Sequence, residues 1–156
     1  MTSPELGRIM LISVHPRHVE RILDGTKTVE LRRTKPAIDP GQPAVIYATM
    51  PSGALVATCR IAAVEVSAPS RLWRTVGSAA QVSRAEFDRY YCNSTIAVAL
   101  HLNDVRPLSD PVTLGQLRAR SRFHPPQTWH FVNERDLRFM LGGHPSAHVM
   151  AELITC

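Results

Sequence analysis

The period of apolar positions changes twice in the first 33 residues. Arg8–Val14 is short and mostly apolar, which predicts a buried strand. Pro16 suits a first helical position, and Val19, Ile22 and Leu23 then recur at helical spacing. Arg17, His18, Glu20 and Arg21 are left for the outer face. Gly25 is placed to end that helix in a left-handed conformation. From there the period falls to two, and residues 26–33 predict a strand. Val29 and Leu31 point into the core, while Thr28, Glu30 and Arg32 point the other way. Glu30 and Arg32 become same-face neighbours about 7 Å apart. Lys27 has the wrong parity to join them unless the chain curls just after Gly25.

Residues 34–43 carry prolines and a glycine and read as a loop. Strands are predicted over 44–49 and 54–66, joined by a turn at Met50-Pro51-Ser52-Gly53. In the second of these, Leu55, Ala57, Cys59 and Ile61 share a face but Val64 and Val66 fall out of phase. A bulge or bend near Ala62-Ala63 corrects the phase. Pro69 opens a helix with Leu72, Trp73 and Val76. Ser83 and Glu86 predict a capping box for the next one, with Phe87 and Tyr90 or Tyr91 inside. Residues 95–102 alternate cleanly, and 103–108 continue that strand or pair with it. Thr113 and Gln116 cap a short helix, Trp129 and Phe131 mark a last strand, and Asn133 caps a helix that Gly142-Gly143 stops. Residues 144–156 add one or two helical turns. About six strands without a repeating strand–helix alternation predict an α+β domain. Its architecture reads as a small, mostly antiparallel β-barrel with inserted helices.

Composition narrows the class. At 156 residues the chain fits one domain over 1–156, with a core at about 9–132 and a helical extension at 133–156. The longest apolar run, 96–100, is far too short to span a membrane. Residues 1–6 show no signal-peptide pattern, so a cytoplasmic protein without a membrane partner is expected. Cys59, Cys92 and Cys156 form no zinc or redox spacing, and Cys59 reads as a buried thiol. Net charge is +5, carried almost wholly by arginine, since Lys27 and Lys35 are the two lysines. Arginine forks suit phosphates, base edges and flat rings. An acidic partner and a genome biased towards arginine account for this balance equally well.

Two segments concentrate chemistry. In the first, Lys27, Glu30, Arg32 and Arg33 crowd one turn and strand. A carboxylate held beside an arginine stays ionised and orients a ligand or accepts a proton. The competing reading is a surface strand with ordinary ion pairs. In the second, Arg118, Arg120 and Arg122 lead into Phe123, His124 and Trp129, and cations interleaved with rings suit phosphates and stacked bases. There the competing reading is a solvated loop with Trp129 in the core. His15 with His18, and His144 with His148, fall short of the three or four ligands a metal wants, so no metal and no cofactor are expected. Neither a phosphate-binding Walker loop nor a nucleophile elbow is present.

These features together resemble the ASCH family, whose domain is PUA-like and carries G-x-K-x-x-E-x-R after its first helix. Here the motif is Gly25, Lys27, Glu30 and Arg32. Val45-Ile46-Tyr47-Ala48, Leu72-Trp73, Glu86-Phe87-Asp88-Arg89-Tyr90 and Pro125-Pro126-Gln127 follow in the family's order. The resemblance implies a cleft lined by the motif, a PUA-like barrel, and a role in RNA or nucleotide handling. It adds Gln127 to the binding candidates. One group of small members removes the acetyl group from N4-acetylcytidine with a Lys, a Thr three residues later and a Glu in a loop. Lys27 matches that set. The Thr position is Glu30, and 77–81 carries no carboxylate. Ribonuclease activity is implied for other members.

Three functions remain open. The cleft binds RNA, another single-stranded nucleic acid or a nucleotide, with Lys27 and Arg32 on phosphate or base edge, Glu30 accepting from an amino group, Arg33 and Gln127 as further binding residues, and Arg118, Arg120 and Arg122 along the backbone. Alternatively it is a hydrolase of RNA or a modified nucleoside, with Glu30 as base and Lys27 or Arg32 stabilising negative charge. The third is a protein-interaction domain.

Overall fold

The computed structural model describes residues 7–155; the N-terminal segment 1–6 and Cys156 lie outside the described residues. The elements are β1 (Arg8–Val14), α1 (Pro16–Leu23), β2 (Val29–Arg32), β3 (Gln42–Ala48), β4 (Ala54–Ser67), α2 (Pro69–Ala80), α3 (Arg84–Tyr90) and β5 (Ala97–Thr113). They continue as α4 (Leu114–Arg120), β6 (Trp129–Asn133), α5 (Glu134–Leu141) and α6 (Ala147–Thr155). The strands form one sheet in the order β2-β5-β4-β3-β1-β6. Among the described residues only the β1–β3 ladder is parallel.

β1 is apolar on both faces because both faces are covered. Ile9 and Leu11 join Val45 and Tyr47 beneath α4, α5 and α6. Met10 and Ile12 join Ala44 and Ile46 on the opposite side, where Val19 and Ile22 of α1 close over them. A third cluster packs Val29 and Leu31 of β2 against Leu72 and Val76 of α2 and Phe87 of α3. Cys59 is wholly buried, and burial pushes its thiol up to about 12. The phase break in β4 is a register shift against β5 between Ile61 and Ala63. Two further shifts, near Val56 and Cys59, bend the same long strand.

Strand pairing does not confirm the expected barrel. The sheet is open, with β2 and β6 as its edges. A side chain spans part of the gap between β2 and β1: Arg32 Nη2 donates to the Ser13 carbonyl at 2.7 Å. The Ser13 N–H is taken by Thr128 O at 3.0 Å, so that stretch of β1 is occupied by the segment leading into β6.

The predicted strand over 26–33 is shorter, Val29–Arg32, because the chain does curl after Gly25. Gly25 lies at φ +86°, the Lys27 N–H donates to Arg21 O, and the Thr28 N–H donates to Ala79 O. A Cβ at Gly25 would touch nothing within 4 Å, so only backbone strain opposes one. Gly25→Ala is expected to cost about 1–2 kcal/mol of stability in urea unfolding. A change near zero would mean that the turn relaxes out of the left-handed conformation.

Candidate functional site

A cleft of about 780 Å³ opens between β2, the start of α1, α3 and the segment before β6. This volume falls within the range of small-ligand sites. Lys27, Glu30, Arg32, Arg33 and Gln127 all line it. The segment from Gly25 thus delivers its charge to one place, because the turn rotates Lys27 onto the side of Glu30 and Arg32.

The three charged groups at its base are nearly sealed from solvent, with Lys27 at 2%, Glu30 at 5% and Arg32 at 9% exposure. Glu30 Oε1 pairs with Arg32 Nη1 at 3.2 Å and accepts from the Leu31 N–H at 3.3 Å. Arg32 Nη1 also donates to Leu31 O at 2.7 Å. The Lys27 ammonium donates to the Ala80 carbonyl. Burial lowers the Lys27 pKa and the nearby guanidinium of Arg32 lowers it further, while Glu30 opposes the shift.

Sequence reasoning did not assign several lining residues to the site. His18 borders the cleft from α1; burial and then Lys27 lower its pKa, so the ring is neutral at pH 7. Thr128 and Ser13 enter through the chain segments that meet beside β1. Glu86 departs from the predicted capping box. Ser83 Oγ accepts from the Glu86 N–H, but the Glu86 carboxylate reaches across to Arg17 of α1. That ion pair joins two rims of the cleft. One helical turn on, Arg89 and Tyr90 face the same cavity. Residues 77–80, expected in a loop, are the last turn of α2 and give Lys27 its carbonyl partner.

The second basic segment is located elsewhere. Arg118, Arg120 and Arg122 do not line the cleft. Arg118 and Arg120 belong to α4, so their alternation in sequence is not the alternation of a strand. Arg118 Nε donates to Phe123 O at 3.2 Å. Arg120 Nε donates to Phe139 O at 2.8 Å, with its guanidinium over the Phe139 ring.

Several side-chain atoms among the described residues are buried without a hydrogen-bond partner. Four of them belong to the cleft: His18 Nδ1, Glu30 Oε2, Arg32 Nε and Thr128 Oγ1. Buried polar atoms are costly to leave unpaired, and these four converge on one cavity. The set offers a carboxylate oxygen, a neutral imidazole nitrogen, a hydroxyl and a guanidinium N–H beside a buried ammonium. Among the described residues no three His, Cys, Asp or Glu side chains gather as metal ligands, and no helix is long and apolar enough to cross a membrane.

The ASCH domain model matches residues 12–106, a span that contains the whole motif and the α3 wall. An ASCH domain-containing ribonuclease from Zymomonas mobilis is 33% identical over 122 residues, covering 76% of this chain and 82% of the relative. The crystal structure of ASCH from Zymomonas mobilis superposes with a TM-score of 0.79 at 28% identity, over 86% of this chain and 94% of that one. The N-terminal domain of McrB from Staphylothermus marinus shares the fold alone, with a TM-score of 0.54 at 11% identity over 86% of this chain and 93% of that domain. With its motif gathered in one cleft and its α+β sheet matching these structures, the chain belongs to the ASCH domain family.

Proposed function

We propose that this protein is a ribonuclease that takes single-stranded RNA into the cleft and cleaves it there. The observation that carries the reading is the convergence of four unpaired buried polar atoms on a cavity with a buried ammonium and guanidinium. The ribonuclease name of the Zymomonas mobilis relative supports it. A cleft of this volume suits an unpaired nucleotide, and sequence-specific RNA recognition targets unpaired bases.

The chemistry follows from the groups present. The ribose 2′-hydroxyl attacks the adjacent phosphorus and gives its proton to Glu30 Oε2. The bond from phosphorus to the 5′-oxygen breaks, and the Lys27 ammonium protonates the departing oxygen. The products are a 2′,3′-cyclic phosphate and a 5′-hydroxyl. A lowered pKa makes the Lys27 ammonium a better acid than an ordinary lysine. Arg32 stabilises the charge that builds on the phosphoryl oxygens. Neutral His18 accepts a hydrogen bond from the sugar.

The test is incubation of a 5′-labelled single-stranded RNA with wild type and with Glu30→Gln. Wild type should release cyclic-phosphate ends, and a single 2′-deoxy sugar at the cleaved position should block the cut. Glu30→Gln should slow it by ~10²–10⁴-fold. Absence of cleavage above a mock preparation would end the catalytic reading. A binding-only role is the second reading, favoured by the engagement of Glu30 Oε1 with Arg32. It predicts salt-dependent RNA affinity without products.

A further inference from the structure

The cleft has a second cationic region, above its floor, on the lip formed by α3. Arg33 follows β2, and its guanidinium lies over the Tyr90 ring at 4.2 Å from the ring centre. Its Nε donates to Tyr90 O at 2.9 Å. One donor and one face are thereby used, and the two terminal amino groups stay free in a fixed plane. Arg89, the neighbour of Tyr90, lines the same cavity, and no hydrogen bond or ion pair of its guanidinium is found among the described residues. The acidic groups that could neutralise this lip are engaged elsewhere. Glu86 pairs with Arg17, and Asp88 pairs with Arg84 at 3.0 Å.

An arginine whose Nε and ring face are already held presents its outer edge with little conformational freedom left to lose. That edge matches two oxygens of a phosphate. A second guanidinium, that of Arg89, lines the same cavity and adds charge that neither Glu86 nor Asp88 balances. We propose that Arg33 and Arg89 form a phosphate subsite at the α3 lip, which holds the phosphodiester next to the nucleotide seated in the cleft. The ligand of the site is then an oligoribonucleotide, entering across α3, and a free mononucleotide leaves the subsite empty. This inference rests on the RNA reading and deepens it. It also sets the strand's path along α3, away from Arg118, Arg120 and Arg122.

The experiment compares two probes, uridine 3′-monophosphate and a 2′-O-methyl hexauridylate, which the proposed chemistry cannot cut. Affinities are measured at several salt concentrations for wild type, Arg89→Gln, Arg33→Gln and Arg33→Lys. The hexamer should bind wild type more tightly and with a steeper salt slope. Arg89→Gln and Arg33→Gln should each weaken hexamer binding by on the order of tenfold. Each should flatten its slope by about 0.7, one phosphate contact on a single strand. Arg33→Lys should keep the slope but lose affinity, because a lysine gives the charge without the planar fork. Mononucleotide affinity should change less than twofold in each variant. Equal loss for both probes, or no loss for the hexamer, would overturn the subsite while leaving the RNA reading in place. Failure of wild type to bind either probe would remove both.

Discussion

Replacing Arg32 by alanine is expected to destabilise the protein by about 3–5 kcal/mol, the cost of stranding one member of a buried ion pair. Glu30 is then the stranded charge. It is 5% exposed, its Oε1 is held by Arg32, and its Oε2 has no partner. The substitution also removes the donor that reaches from β2 to the Ser13 carbonyl of β1, so part of the gap between those strands loses its bridge. Urea unfolding at constant m-value reads the loss as a lower midpoint. The paired replacement Glu30→Gln with Arg32→Met separates the two causes. If the stranded carboxylate dominates, the double variant should recover most of the stability, since neutral side chains of similar size carry no buried charge to desolvate. If the bridge to Ser13 dominates, the double variant should stay as unstable as Arg32→Ala. A loss below about 1 kcal/mol for Arg32→Ala would place the pair among exposed salt bridges and contradict its burial.

What made the site legible was local. Gly25 announced a turn because few other residues tolerate its conformation, and two-residue periodicity put Glu30 and Arg32 on one face. Parity alone left Lys27 out. The hydrogen bonds from its N–H to Arg21 O and from Thr28 to Ala79 O bring it in, and the second of these partners lies 51 positions further along the chain. Thr128, Ser13 and Arg89 could not be read for the same reason, since they meet β2 only through the sheet order and the packing of α3. His18 was visible as a histidine one turn into α1, next to a motif that had to lie near it. Arg118, Arg120 and Arg122 lie outside the cleft, and an alternation of arginines looks the same in sequence whether it faces RNA or caps carbonyls. Arg120 has its carbonyl partner in α5, which no short-range pattern announces. Glu86 misled. Its spacing from Ser83 satisfies a capping box, but an opposite charge on α1 offered its carboxylate a stronger partner than a backbone N–H. The barrel expectation took the bends in β4 as corners. The bends are present, and the ladder still ends at β2 and β6.

Lys27→Met is expected to reduce RNA cleavage by ~10²–10³-fold, the loss typical when one preorganised donor to a developing charge is removed. Methionine keeps the length and apolar stem, so the packing at this 2%-exposed position is conserved and the loss reports the ammonium. Stability should respond with a definite dependence on pH. Burial lowers the Lys27 pKa below the ordinary 10.5, and so the unfolded chain binds more protons than the folded one between the two values. Stability must then rise with pH through that window, as the folded state sheds a proton that is costly to keep. Below the folded pKa the penalty for a buried charge is present in full, and above 10.5 it is gone. Lys27→Met carries no such group. The stability of wild type relative to Lys27→Met should therefore increase as pH rises towards 10.5, in paired urea titrations from pH 7 upward. A relative stability that stays flat would mean that Lys27 titrates in the cleft as it does in the unfolded chain, and its proposed role as an acid of lowered pKa would fall. A slope without any loss of cleavage would leave the lysine buried and titrating as described, but outside the chemistry. A slope together with the loss would tie the desolvation of this one ammonium to the reaction, with stability given up at neutral pH in exchange for a better proton donor.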